Sequence, residues 1–330
     1  MRLGAVVYNA AEAAAMEELG YSFIGEGDYL ATFTNLLDVA RATNRAQFGS
    51  FIMTPYGRHP AVTAMETAKI QTDSDGRLVM AIGRGFRSAA MMGRQPIPIS
   101  ETKAYVSALR SLVRGESTEW DGHAVPALEN AVRVPVFVSA YGPMVRRMAG
   151  AVGDGVVLAT GSDVAQLRSF IDDVAEGARE AGRDPADVEV WLLCRGSVRP
   201  TREEALEDVR GLLAASGYRH LQSASQLETV PVEHRDALLE FQRRYDPEGF
   251  EGYQPSWDGP NARLVAELGL DDFLAGRFAI VGTAEECREQ VAAIEAAGVT
   301  RIVFAPGSRG SETLYERLAD ALMPSPNVHD

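Results

Sequence analysis

The chain has 330 residues, 46% hydrophobic and 24% charged, with a formal net charge of -14. This is the profile of a soluble globular protein with a large core, and the acidic balance argues against nucleic acid or an anionic membrane as partner, since both require a concentrated basic surface. Cys194 and Cys287 stand far apart without metal-type spacing, so no disulfide framework and no metal site is expected, and a reducing, cytoplasmic location follows.

From the start, "LGAVVY" (3 to 8) is an apolar strand and "AAEAAAMEELG" (10 to 20) a helix closing on Gly20. Acidic residues in that helix occupy the place where a signal peptide has an apolar run, and no later stretch approaches a membrane span. The β-α alternation recurs: "YSFIGEGD" then "NLLDVARATN", "AQFGSFIM" then "PAVTAMETAKIQTDS", "GRLVMAIGRG" then "SETKAYVSALRSLVRGE", "VPVFVSA" then "GPMVRRMAGAVG". It continues with "GVVLAT" into "SDVAQLRSFIDDVAEGAREAG", "VEVWLLCRGSV" into "TREEALEDVRGLLAAS", and "RIVFAP" into "SETLYERLADALM". About eight nearly continuous apolar strands, each followed by a helix, predict an α/β fold, a (β/α)8 TIM barrel forming one domain over 1 to 330. A doubly wound sheet is the alternative.

Two long connections interrupt the alternation. Residues 116 to 134 read as a hairpin-like excursion. Residues 217 to 275, placed before the last β/α unit, form an insertion with Tyr245, Phe250, Tyr253 and Trp257 among Gly and Pro, suited to a lid, a substrate pocket or a dimer contact. Thr283 with Glu286 is a capping box for the helix that returns to the barrel.

A β/α barrel builds its site where strands end, here at Tyr8-Asn9, Glu26-Gly27-Asp28, Phe51 to Pro55, Gly83-Arg84-Gly85, Ser139 to Gly142, Thr160-Gly161 and Pro306-Gly307. Glycine at these positions lets a flat ligand approach the backbone. Gly142-Pro143-Met144-Val145 reads either as a helix N-terminus aimed at an anion, with Arg146 close by, or as a plain strand-to-helix turn. "GRG" at 83 to 85 and "GDG" at 153 to 155 read first as turns. Asp28 is a loop carboxylate or a ring contact, and His59 a capping residue or an acid/base group. Serine-hydrolase ordering, zinc-protease and P-loop patterns are missing. With only Lys69 and Lys103 as lysines, few Schiff-base candidates exist.

Taken together, residues 48 to 85, 99 to 116, 135 to 161 and 276 to 304 resemble the luciferase-like family of flavin and deazaflavin oxidoreductases, specifically its coenzyme F420-dependent methylenetetrahydromethanopterin-reductase-like branch. The resemblance implies a cofactor ring at the strand C-termini, walled by Ser50, Phe51, Ile52, Met53 and Thr54 and by Gly83, Arg84 and Gly85, with Asp28 beside it. It implies a phosphate on Ala140, Tyr141, Gly142, Pro143 and Met144, and a non-prolyl cis peptide at Phe51-Ile52. Phe86 stands where related enzymes often place a carboxylate, and no lysine-rich sugar-phosphate pocket is present. The expected activity is hydride transfer between F420 and a small organic substrate, with Tyr8, Tyr29 and Trp257 as substrate contacts and Asp28, Glu26, His59, Tyr8 or Tyr29 as proton donors. An FMN-dependent monooxygenase and a non-catalytic flavin-binding relative are the alternatives, and a homodimer is expected.

Overall fold

The computed structural model describes residues 1–27, 32–222, 224–247, 258–305 and 313–323, apart from the side chains of Phe86, Arg87, Ala224 and Ser225. The first half runs β1 (Arg2–Val7), α1 (Ala10–Glu18), β2 (Phe23–Glu26), α2 (Thr32–Ala42), β3 (Gln47–Met53), α3 (Pro60–Asp73), β4 (Leu78–Ile82), α4 (Phe86–Met91), α5 (Ile99–Leu112), β5 (Thr118–Trp120), β6 (His123–Val125), β7 (Val136–Ala140), α6 (Pro143–Val152) and β8 (Gly155–Ala159). The second runs α7 (Val164–Glu180), β9 (Glu189–Val198), α8 (Arg202–His220), α9 (Ala224–Glu228), α10 (Val232–Arg244), α11 (Pro260–Glu267), α12 (Asp271–Phe278), β10 (Ala279–Gly282), α13 (Ala284–Ala296), β11 (Arg301–Phe304) and α14 (Leu314–Leu322).

The chain divides into two compact units, one of residues 1–159, 168–193 and 298–303, the other of 160–167, 194–297 and 304–330. In the first, the ladder β11-β1-β2-β3-β4-β7-β8 is closed by β9, which pairs with both β8 and β11, so eight parallel strands make a closed (β/α)8 TIM barrel. Strands such as β4, "LVMAI", are buried along their whole length because one face meets the barrel interior and the other the helices. Trp191 on β9 touches Phe23 on β2 and Phe137 on β7, neither a neighbouring strand, with centroids 4.7 and 4.4 Å apart. Phe51 on β3 packs 5.4 Å from Phe23, which places all four rings in the barrel interior. The hairpin expected at 116 to 134 is the antiparallel pair β5-β6.

Polar side chains tie down the strand N-termini. The Glu17 carboxylate accepts the backbone N–H groups of Asn44, Arg45 and Ala46 at 2.7 to 3.0 Å, fixing the turn into β3. Burial opposes its charge, but these bonds outweigh it and hold its pKa below the usual value. Arg77, ahead of β4, donates to the carbonyls of Ala40, Thr43, Ala46 and Ser74. Asp154, in the turn before β8, accepts from Arg110 Nε at 2.8 Å, Arg114 Nη2 at 2.7 Å and Val136 N at 3.0 Å. The "GDG" segment is thus a structural turn.

In the second unit, β10 pairs parallel with residues 195–198 of β9. The β-α alternation read from sequence assigns no strand here, because β10 follows α12 directly with no residue between them to mark a new element. The Thr283–Glu286 capping box is formed. Within 217 to 275 the described residues are mostly helical, and α8, α10, α11 and α12 share a core that includes Leu213, Leu238, Phe241, Val265 and Leu274. Aromatic, Gly and Pro residues around 245–257 point to irregular loop, while the apolar spacing of Leu238 and Phe241 carries the helical signal.

Candidate active site

At the C-terminal ends of the barrel strands in the first unit, backbone rather than side chains forms most of the wall. The β3-β4 register shifts between Ser50 and Met53, and the Phe51-Ile52 peptide is cis, at the bond expected. Ser50 is fully buried. Its hydroxyl donates to Ala81 O and accepts from Ala81 N, both at 3.1 Å, so it completes the ladder across the bulge. Phe51 turns its ring toward Phe23 and over Gly25, where a Cβ would come within 2.9 Å of Phe51 Cβ. Ile52 lies over Gly83, where a Cβ would sit 2.9 Å from Ile52 Cγ2. Met53 is buried, and its carbonyl accepts from Gly83 N.

Gly85 begins α4 at φ 74°, and a Cβ there would lie 2.3 Å from Thr54 Cγ2, so both the conformation and the space demand glycine. The Thr54 hydroxyl accepts from Ser88 Oγ at 2.9 Å. Arg84 does not turn toward the strand ends: its Nε donates to Ile97 O at 2.6 Å, and its carbonyl accepts from Ile97 N.

The loop after β7 has a different character. Ala140 is buried, whereas Tyr141 and Met144 are 52% and 70% exposed. Gly142 is the N-cap of α6 with extended backbone, Pro143 occupies the first turn, and a Cβ on Gly142 would meet nothing within 4 Å. Its carbonyl accepts from Val145 N and Arg146 N. Sequence spacing puts Arg146 near an anion on this loop, but its guanidinium turns back. It donates to Tyr141 O, pairs with Asp173 at 2.7 Å and stacks 3.8 Å over Phe170. Burial lowers its pKa, and Asp173 partly restores it. The partners on α7 that set this direction lie more than twenty residues away and are invisible to local spacing.

Among the candidate proton donors, Glu26 at the end of β2 is 1% exposed and accepts from Asn35 Nδ2 at 3.0 Å. Asn35 does not stand out in the sequence. Its position on α2, nine residues after Glu26, is the only signal it gives. Tyr8 is 53% exposed and packs toward Gly27, where a Cβ would lie 2.7 Å from Tyr8 Cε1. His59 is exposed and caps α3, its Nδ1 accepting from Ala61 N at 3.1 Å, which leaves Nε2 as its only other ring nitrogen. Asp28, Tyr29 and Trp257 lie outside the described residues, as do Pro306 and Gly307. Among the described residues no group of three His, Cys, Asp or Glu side chains could hold a metal ion. No described helix is long and apolar enough to cross a membrane.

A model of the family described as luciferase-like monooxygenase matches residues 4–301, and the chain belongs to that family. Among its relatives, a 5,10-methylenetetrahydromethanopterin reductase of Methanolobus tindarius is 26% identical over 82% of this chain and 80% of its own. An F420-dependent glucose-6-phosphate dehydrogenase of Amycolatopsis mediterranei is 24% identical over 87% and 81%. Among solved structures, a coenzyme F420-dependent tetrahydromethanopterin reductase from Methanopyrus kandleri superimposes with a TM-score of 0.74 at 19% identity, covering 98% of both chains, which shows the shared barrel.

Proposed function

We propose that this protein is a coenzyme F420-dependent oxidoreductase that moves a hydride between the deazaflavin and a small organic substrate. The observation that carries this reading is the glycine-backed wall at the ends of β3 and β4. Gly83 and Gly85 let the turn after β4 close directly on Ile52 and Thr54, which a Cβ would strike, so backbone rather than side chain makes the surface offered to a planar ring. The F420-dependent relatives support the same choice. Bound there, F420 supplies two-electron hydride chemistry, and the protein contributes placement.

In this reading Ser50 acts through the wall it knits rather than by touching the cofactor, while the backbone of Phe51 to Thr54 and of Gly83 to Gly85 backs the ring. The loop from Ala140 to Met144 receives the phosphate through the backbone N–H groups of Gly142 and Met144 at the start of α6, Pro143 between them having none to give. Tyr8 borders the substrate. Glu26, held by Asn35, is the best-placed described carboxyl for storing a proton at the end of β2. Asp28, Tyr29 and Trp257 complete the proposed set, and His59 is reserved for capping. The enzyme works as a cytoplasmic homodimer, which sedimentation of the purified protein checks.

The family's description favours one second reading, an FMN-dependent monooxygenase on the same barrel. Separate fluorescence titrations with F420 and FMN decide between them. Tighter binding of F420 is expected, followed by oxidation of reduced F420 in a substrate screen. Preference for FMN moves the assignment to the monooxygenase, and binding of neither overturns both.

A further inference from the structure

Two stretches of the second unit that lie far apart in sequence meet at Arg277, in the last turn of α12 and 5% exposed. One is the loop of residues 160 to 163, which leaves the C-terminal end of β8. The Thr160 hydroxyl donates to Arg277 O at 3.0 Å, and Asp163 Oδ2 lies 3.9 Å from Arg277 Nη1. Gly161 presses on the same turn, where a Cβ would come within 2.3 Å of Phe278 N. Ser162 Oγ adds a bond to Ala279 O at 3.3 Å.

The other stretch is the turn between α9 and α10, inside the insertion. Arg277 Nη2 donates to Thr229 O at 3.0 Å and to Thr229 Oγ1 at 2.6 Å. That hydroxyl donates onward to Gln226 O at 2.7 Å. Arg235 takes the carbonyls on either side, Val230 O at 2.8 Å and Glu228 O at 3.1 Å, so two guanidiniums hold three successive carbonyls. The Arg277 guanidinium also lies 5.7 Å from the Phe273 ring centroid, and that ring stacks on His234 of α10 at 4.8 Å.

A buried cation gains most from a carboxylate in direct contact. Among the described residues the one carboxylate paired with Arg277 is Asp163, too far for a hydrogen bond. Ion-pair strength is therefore not what the arrangement supplies. A planar fork of N–H donors set between two segments fixes their separation instead. Strand-end loops and long insertions are also where β/α barrels build substrate contacts.

We propose that Arg277 is a positioning residue for the substrate: it locks the α9–α10 turn to the loop after β8, so that a pocket bordered by these two segments keeps its shape. The proposal rests on the F420 reading and extends it, assigning substrate fit to the second unit and leaving cofactor fit to the wall in the first.

Hydrogen exchange read by mass spectrometry, together with steady-state kinetics, tests this on Arg277→Met and Thr229→Val. Thr229 is exposed and the Asp163 side chain is 34% exposed, so water can replace the bonds lost in Arg277→Met and the fold should persist. In Arg277→Met, peptides covering 158 to 166 and 226 to 234 should both exchange about tenfold faster, while 47 to 53 stays unchanged. Thr229→Val should quicken 158 to 166 as well, although it removes no atom that touches that loop. With a substrate from the screen, Arg277→Met should raise KM about tenfold and leave kcat within about threefold, whereas mere loss of folded protein lowers kcat at constant KM. F420 affinity should stay within about twofold of wild type.

Faster exchange in one segment alone, a fall in kcat at constant KM, or F420 affinity lost in step with the substrate would each overturn the proposal. A wild type that binds no F420, or whose reduced F420 finds no substrate, overturns the F420 reading and the substrate role with it. Exchange, measured on the protein alone, then still decides whether Arg277 joins the two segments.

Discussion

The two edges of the barrel use charge in opposite ways. At the N-terminal edge, Glu17, Arg77, Asp154 and Glu189 hold turns, helix ends and strand starts together through multiply bonded charged groups. At the C-terminal edge, the two arginines nearest the wall turn away from it, Arg84 to Ile97 and Arg146 to Asp173 and Tyr141, and Glu26 is the described carboxyl left there. Otherwise what remains there is glycine, backbone and a few exposed large side chains. One edge therefore carries stability, and the other is left free for a ligand, the division expected of a β/α barrel.

The sharpest way to break this comparison is Asp154→Asn, which leaves Arg110 and Arg114 without their shared carboxylate. Unfolding by urea should show a loss on the order of 3 kcal/mol, with F420 affinity unchanged. A fall in affinity of similar size would mean that the two edges are not independent.

Glu17→Gln should cost about 1 to 2 kcal/mol at neutral pH by weakening three charge-assisted bonds. Because the folded pKa of Glu17 is depressed, its contribution is complete above the unfolded carboxylate value, about 4.3, and disappears as pH falls through the folded value. Denaturation curves of wild type and variant should therefore converge in acid. A constant gap across that window would remove the charge from the explanation.

The smallest effect on stability is expected at the other edge. Gly142→Ala adds a methyl into open space at an ordinary backbone conformation, so stability should shift by less than about 0.5 kcal/mol. F420 affinity should nevertheless drop by about tenfold, since the methyl would occupy the face assigned to the phosphate. Unchanged affinity would take the phosphate off this loop.

The barrel is legible in the sequence because parallel strands covered on both faces write themselves as apolar runs, and the strand-to-helix restarts at Gly142-Pro143 and Thr283 carry their own chemistry. Two short elements escape: α4, of six residues, and β10, which follows α12 directly with no residue between them to mark a new element. Helix α10 is hidden by its aromatic and glycine-rich surroundings. At the site, backbone features such as the Gly83-Arg84-Gly85 turn are readable, whereas side-chain directions are not. Arg146 depends on Asp173 and Phe170, and Glu26 on Asn35, so each is settled only by tertiary contact.

The Ser50 hydroxyl both donates to and accepts from the same residue, Ala81, across the bulge. One oxygen atom thus keeps the irregular edge of β3 in register. Divergence from this chain can rework the loops around the strand ends without disturbing that atom, and so can change what the enzyme acts on while inheriting the wall between β3 and β4 as a single trait.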